Sequence, residues 1–401
     1  MSGTKPVRIG DLCEQIRGVT YSKNDAISEP RVGYKPVLRA TNISEEGLTF
    51  EDLVYVPALK INSRQHIKAN DIVIAASSGS IDIVGKAARA LADFDGGFGA
   101  FCKVLRPTNK VDPGYFSHFF QTTTYRQKIS QLAAGANINN LRNEHLDDLE
   151  ISLPPLSEQR RIASILDKAD ILLSKRREAV AKLDQLLQSV FLDLFGDPVA
   201  NPKGWIQREL SEICDPTDRV NYGVVQPGED FEGGVPLVRV GDLEGGRLDA
   251  SSIKRIDPKI DVAYKRSRLK GNELLVTCVG SIGTVASVPT FAIGYNIARA
   301  ITRVPLAEPR FLPFFRECLL SAGVQRYFAE KTRTVSQPTL NVAFVKSARI
   351  ICPPDSLISK FCRIADAIER QQQSMDRAKA SSSLLSQALR QQAFSGDLRV
   401  S

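Results

Sequence analysis

The chain of 401 residues has no uninterrupted run of about eighteen apolar residues, the length a helix needs to cross a bilayer. Its first residues, Met1-Ser-Gly-Thr-Lys5, carry no apolar signal core. The expectation is a soluble, cytoplasmic protein with no membrane partner. Histidine is scarce, limited to His66, His118 and His145. The seven cysteines (13, 102, 214, 278, 318, 352 and 362) are odd in number, scattered, and form no C-x-x-C pair. That spacing argues against a disulfide framework or a zinc site, and buried free thiols are the default. With three histidines, neither a metal set nor a Ser/His/Asp arrangement can be argued.

Other catalytic signatures are missing too. Gly79-Ser-Ile-Asp-Ile-Val-Gly-Lys-Ala87 is like a phosphate-binding loop, but it has five residues between its glycines and Ala87 where Ser or Thr should hold magnesium. The related Gly280-Ser-Ile-Gly-Thr284 lacks the lysine. Gly96-Gly-Phe-Gly99 suggests a methyl-donor loop. However, the nearest approach to the Asn-Pro-Pro-aromatic motif of adenine methyltransferases is Asn201-Pro-Lys-Gly-Trp205, wrong at its third position. No catalytic, cofactor-binding or metal-binding residue is expected.

The sequence is plainly globular, at 43% hydrophobic and 24% charged residues, and it is written twice. Gly33-Tyr-Lys-Pro-Val-Leu-Arg39 returns as Gly233-Gly-Val-Pro-Leu-Val-Arg239, and Asn70-Asp-Ile-Val-Ile74 as Asn272-Glu-Leu-Leu-Val276. Gly79-Ser-Ile81 returns as Gly280-Ser-Ile282, Pro154-Pro155 as Pro353-Pro354, and Arg161-Ile-Ala163 as Arg363-Ile-Ala365. A spacing near 200 that drifts by a residue or two indicates duplicated domains with loop insertions, and not a short-period solenoid.

Each copy begins with short β-branched runs broken by turns. Ile72-Val-Ile-Ala-Ala76, Ala100-Phe-Cys-Lys-Val-Leu105 and Leu274-Leu-Val-Thr-Cys278 read as buried strands, and Pro113 as the first turn of a helix. After Pro155 the pattern changes. Ser157 reads as an N-cap with Glu158 in the first turn, and no Pro or Gly follows before Gly196. Ile162, Leu166, Ala169, Leu173, Val180, Leu183, Leu187, Val190 and Leu194 form a seam of alternating steps of three and four, interrupted at Arg176. A helix of about 38 residues spans about 57 Å. A weaker seam stands 202 positions later, at Ile364, Ile368, Gln371, Met375, Ala378, Ser382, Leu385 and Leu389.

These patterns predict an α+β fold with an internal pseudo-two-fold repeat. Two similar domains, 1–153 and 199–352, are separated by long helices at 154–198 and 353–401 that pair as an antiparallel coiled coil. The expected architecture is a rod with a globe at either end.

The net charge is +8, unevenly spread: residues 1–200 hold 25 Lys and Arg against 24 Asp and Glu, residues 201–401 hold 28 against 21. Excess positive charge favours a phosphate backbone through counterion release. The duplicated polar loops supply candidates for contact with DNA. Arg39, Thr41 and Asn42 follow one Pro-led strand, Arg239 and Asp242 the other; arginine can bond to guanine, asparagine to adenine, and aspartate can accept from cytosine. Such arginines equally cap a strand end or pair with a carboxylate. Ser78, Ser80 and Ser281 stand in small-residue turns that let backbone N–H groups approach phosphates, or are ordinary tight turns. Asn139, Asn140 and Arg142, with Arg333 and Gln337, precede the two helices. Lys254, Arg255, Lys259, Lys265, Arg266, Arg268 and Lys270 form a basic run that suits a duplex or a solvated face.

Together these residues resemble the specificity subunit of type I restriction–modification enzymes. The carriers are Leu153-Pro-Pro-Leu-Ser-Glu-Gln159, Phe195-Gly-Asp-Pro198, Asn201-Pro-Lys-Gly-Trp205, Gly280-Ser-Ile-Gly283 and Phe394-Ser-Gly-Asp-Leu398. The resemblance covers essentially the whole chain. It implies two target-recognition domains, each reading half of a split double-stranded DNA sequence, and paired helices that act as a ruler and dock methyltransferase subunits. It also implies no chemistry in this chain: S-adenosylmethionine sits on the partner methyltransferases, and a motor–nuclease subunit can join. Helix pairing and docking fall to Ile162, Leu166, Leu173, Leu183, Leu187, Ile364, Ile368, Met375, Leu385 and Leu389. One departure is Asp355-Ser-Leu-Ile-Ser-Lys360 after the second Pro-Pro, where the first copy has Leu-Ser-Glu-Gln. The competing readings are a stand-alone methyltransferase and a coiled-coil adaptor that does not read DNA.

Overall fold

The duplication in the sequence reappears as a duplicated strand order. The computed structural model describes residues 6–44, 47–80, 82–134, 140–332 and 338–395. It divides into two compact units, Met1–Glu178 with Asp376–Ser401, and Ala179–Met375. In the first unit an antiparallel sheet runs Cys13–Arg17, Cys102–Pro107, Ile72–Ala75, Ala87–Arg89. In the second the order is Asn221–Tyr222, Ile301–Pro305, Glu273–Thr277, Val285–Ser287. Each unit adds a three-stranded sheet, Val54–Pro57, Tyr34–Leu38, Gly97–Phe98 in one and Lys254–Ile256, Val235–Val238, Asn296–Ile297 in the other.

The central strands are apolar on both faces because both are covered: Ile72, Val73, Ile74 and Ala75 are fully buried, as are Leu274, Leu275 and Val276. Gly18 and Gly223 occupy the same place in the two copies. A Cβ on either would overlap a neighbouring backbone carbonyl, of Gly99 and Ile297 respectively, so glycine is required for close approach of two backbones. The helix expected at Pro113 forms over Pro113–Phe119, with the Asp112 carboxylate accepting from the Tyr115 amide at 3.0 Å.

Two long helices are present, Leu156–Phe195 and Asp355–Ser395. The first starts two residues earlier than expected. The Pro155 carbonyl accepts from Glu158 and Gln159, so Ser157 lies inside the first turn and is not the N-cap. In the first unit, Ile162, Ala163 and Leu166 share a core with Tyr115, Phe119 and Ala393 of the other helix. Further along, Asp170 pairs with Arg390 and Arg176 bonds to Ala378. In the second unit, Leu187, Phe191 and Phe195 share a core with Phe361 and Ile368, and Asp184 accepts from Gln372 at 2.7 Å. Numbers rise on one helix as they fall on the other, so the pairing within each unit is antiparallel.

The seam of the second helix differs from the sequence expectation. Gln371 is exposed and Gln372 buried; Leu385 is 60% exposed and Ser386 buried. Ile364, Met375 and Leu389 are partly buried, as are Leu173 and Leu183 on the first helix. The expected register was carried over from the first helix, but the second turns a different set of residues inward. It buries Phe361, Ala365, Ile368, Gln372, Ser386 and Ala393.

Candidate nucleic-acid interface

The two Pro-led strands end in the same short turn. The Arg39 amide donates to Asn42 Oδ1 at 2.9 Å and the Arg239 amide to Asp242 Oδ2 at 2.7 Å. Both acceptors are 3% exposed. Asn42 also donates to the Glu51 carbonyl, and Asp242 takes two bonds from the Arg239 guanidinium. Asn42 and Asp242 are therefore turn-forming residues: each is buried and bonded within its own loop, which leaves little of either side chain exposed to a base edge. Arg39 and Arg239 are half-buried, each donating from its guanidinium to a carbonyl, of Asp52 and Ser252. Thr41, beside them, is exposed.

The turns after the core strands lie against the segments that precede the long helices. Ser77 bridges Asn140 and Leu141 bonds to Ala76; in the second unit Val279 bridges Thr339 and Leu340 bonds to Cys278. Ser78, Ser80, Asn140 and Arg142 are thus brought near one another, the last three of them exposed. The Ser80 amide is already satisfied by the Ser78 hydroxyl at 3.2 Å. Ser281 is exposed, and its carbonyl accepts from the Thr277 hydroxyl. Asn139, Arg333 and Gln337 lie outside the described residues.

The phosphate-loop lookalike is closed by protein. Arg126 donates to the Val84 and Asp82 carbonyls at 2.9 and 3.1 Å, and the chain continues into a strand, Ala87–Arg89, where a phosphate cradle needs a helix N-terminus. In the second unit Gln325 donates to the Gly283 carbonyl at 2.9 Å. Gly283 itself has a φ of +86°, a left-handed conformation that favours glycine in this turn. Burial pushes the Cys13 and Cys102 thiols up to about 12, which makes them poor nucleophiles. Among the described residues no three His, Cys, Asp or Glu gather in a metal-binding group, and no helix is long and apolar enough to cross a membrane.

A family model described as "Type I restriction modification DNA specificity domain" matches residues 1–182. The chain is 30% identical over 411 residues to the type I restriction enzyme EcoKI specificity subunit of Escherichia coli, covering 96% of this chain and 86% of that protein. The chain belongs to the type I restriction enzyme specificity subunits. The StySPI specificity subunit of Salmonella potsdam is also 30% identical, over 414 residues, covering 96% of this chain and 86% of the relative. The fold agrees with that of a solved type I restriction–modification S subunit from M. genitalium, with a TM-score of 0.51 at 15% identity over 97% of this chain and 96% of that one.

The motif that opens the first helix of this specificity subunit has a structural explanation. Gln159, 1% exposed, accepts from the Asp112 amide at 2.8 Å and donates to the Pro154 carbonyl at 2.7 Å. It ties the start of the helix to the globular part of its unit. Glu158 accepts two bonds from Arg161. At the other end Trp205 Nε1 donates to the Phe195 carbonyl at 3.0 Å, and Asp197 accepts from the Gly323 amide at 2.8 Å.

The basic run divides on inspection. Lys254 and Arg255 bond to carbonyls, Arg268 pairs with Asp261 and Lys270 with Asp218 at 2.7 Å. These four cations are partly used by the fold. Lys259, Lys265 and Arg266 are exposed. Sequence reasoning missed Arg303, which is 0% exposed and donates to Asp218 and to Glu273. Its bond holds the Asp218 carboxyl below the usual range despite burial. The available signal was an arginine inside the otherwise uncharged strand Ile301-Thr-Arg-Val-Pro305.

Proposed function

We propose that this specificity subunit recognises a bipartite, asymmetric double-stranded DNA target, each of domains 1–153 and 199–352 reading one half. The long helices set the spacing and dock adenine methyltransferase subunits, and a restriction motor–nuclease subunit joins the same complex. The chain itself carries no cofactor and no catalytic set; S-adenosylmethionine belongs to the partner methyltransferase, and the complex acts in the cytoplasm. The observation that carries this reading is the repeated strand order with different exposed residues at the repeated loops, for example Thr41 against Gly241 in one turn. Two equivalent scaffolds with unlike surfaces suit two unlike half-sites. An excess of positive charge and the absence of a recognisable catalytic motif support the same reading.

The test is genome-wide adenine-methylation sequencing in cells that express this chain with its neighbouring methyltransferase, and in cells with the methyltransferase alone. A split motif is expected only when both are present. Methylation that ignores this chain, despite a stable complex, overturns the reading.

A further inference from the structure

The two units part company at the edge of the four-stranded sheet. In the first, Cys13–Arg17 runs unbroken along its neighbour, with Cys13 opposite Pro107 and Ile16 opposite Val104. In the second, Cys214 holds the place of Cys13. It bridges Leu306, and its thiol donates to the Leu210 carbonyl as that of Cys13 does to Ile9. Regular pairing resumes only at Asn221, opposite Arg303. Three positions separate Cys13 from Ile16, and seven separate Cys214 from Asn221. The additional residues leave the sheet as a loop, and a cavity of about 430 Å³ opens beside it, its lining including Asp218, Arg219, Asn221, Tyr222 and Arg266.

This loop is held from beneath. Arg303 donates to both carboxylate oxygens of Asp218 and, at 3.1 Å, to the Arg266 carbonyl. Asn221 Nδ2 donates to the Arg219 carbonyl at 2.9 Å and to the Arg266 carbonyl at 3.0 Å. Lys270 adds a second cation on Asp218, so the acid in the cavity wall is neutralised. The backbones of Arg219 and Arg266 are thereby fixed. Their side chains are exposed, and neither guanidinium has a hydrogen-bond or carboxylate partner among the described residues. Tyr222, 45% exposed, completes the rim. The first unit treats the matching cation differently. Arg64, in the turn Ser63–Gln65 that corresponds to Lys265–Ser267, pairs with Glu14.

We propose that this cavity is a phosphate-holding site, in which Arg219 and Arg266 grip one phosphodiester of the DNA strand and Tyr222 lies against the adjoining sugar, and that the first unit has no counterpart. The proposal rests on the DNA-recognition reading above. Two guanidiniums match a phosphate in geometry as well as charge. A loop ordered before the ligand arrives loses little entropy on binding. The second unit then carries more than its share of the salt-dependent affinity.

The experiment uses the full chain in complex with its methyltransferase and a long duplex of mixed sequence, with binding measured by fluorescence anisotropy over a range of salt. Arg219→Ala with Arg266→Ala is expected to weaken binding about tenfold at low salt and to flatten the slope of log affinity against log salt by about 1. The methylated motif should be unchanged, and so should the melting temperature, because both side chains are exposed. The Arg219→Lys with Arg266→Lys pair should recover most of the slope. Arg64→Ala should leave binding within about twofold, since the Glu14 carboxylate beside it offsets its charge toward a phosphate. Unchanged affinity and slope in the double alanine variant, or an equal loss from Arg64→Ala, overturns the proposal. So does a motif relaxed in its second half, which assigns the arginines to bases. If the parent complex binds no DNA, or binds with no salt dependence, the DNA-recognition reading itself fails.

Discussion

Arg176 stands in the apolar seam of the first long helix, and its guanidinium donates to the Ala378 carbonyl of the second at 2.8 Å. A second bond goes to the Ser382 hydroxyl. A polar residue at one seam position is a device for fixing the register of paired helices, because sliding by a turn leaves a half-buried cation without acceptors.

The first prediction concerns this register. Four residues added after Arg176, matched by four before Ala378, lengthen the paired helices by about 6 Å, close to two base pairs of DNA. Methylation sequencing should report a spacer longer by one or two base pairs with both half-sites intact. Altered half-sites with an unchanged spacer would count against the ruler role of the helices.

A second prediction separates the buried seam from the surface. Leu187 is 6% exposed in the core of the second unit, whereas Leu384 and Leu385 are 69% and 60% exposed. Leu187→Ala should cost about 2–4 kcal/mol, and Leu385→Ala less than about 0.5 kcal/mol, as read by chemical denaturation. Leu384→Glu with Leu385→Glu should leave the melting temperature unchanged while weakening capture of the methyltransferase subunit in a pull-down. Full capture by that variant would remove this face from the docking surface.

The seam also marks how far the sequence could be read. The first helix has a leucine, isoleucine, valine or alanine at nearly every seam position. Its face was legible at Ile162, Leu166 and Leu187, although at the far end Phe191 and Phe195 are buried in place of the expected Val190 and Leu194. The second runs Ala380-Ser-Ser-Ser-Leu-Leu-Ser386 where the face must be chosen, and there two adjacent leucines are exposed while Ser386 is buried. Periodicity cannot choose a face when the apolar residues are on the wrong one. The strands were legible because both of their faces are apolar, as at Ile72–Ala75. The polar loops were not: whether Asn42 reads a base or caps its own turn depends on a carbonyl nine residues away, at Glu51, and no local pattern announces it. Arg303 depends likewise on Asp218, 85 positions earlier.

The last prediction concerns Lys103, on a central strand of the first unit and only 8% exposed. Its ammonium donates to Asn143 Oδ1 at 2.7 Å. Burial, with help from the nearby Arg17, pulls it down from the ordinary 10.5 to about 8, against the opposing pull of Glu144 and Asp147. Below about pH 8 both folded and unfolded chains hold this proton, and the cost of burying the charge is borne in full. Between about pH 8 and 10.5 the folded chain has released the proton and the unfolded chain has not, so this group makes stability rise with pH. Lys103→Met removes that contribution. Melting temperatures of the parent and of Lys103→Met, measured from pH 7 to 10, should diverge in favour of the parent as pH rises. A difference that stays constant across that range would mean that Lys103 keeps its proton in the folded protein, its ammonium sufficiently held by Asn143 and the nearby carboxylates.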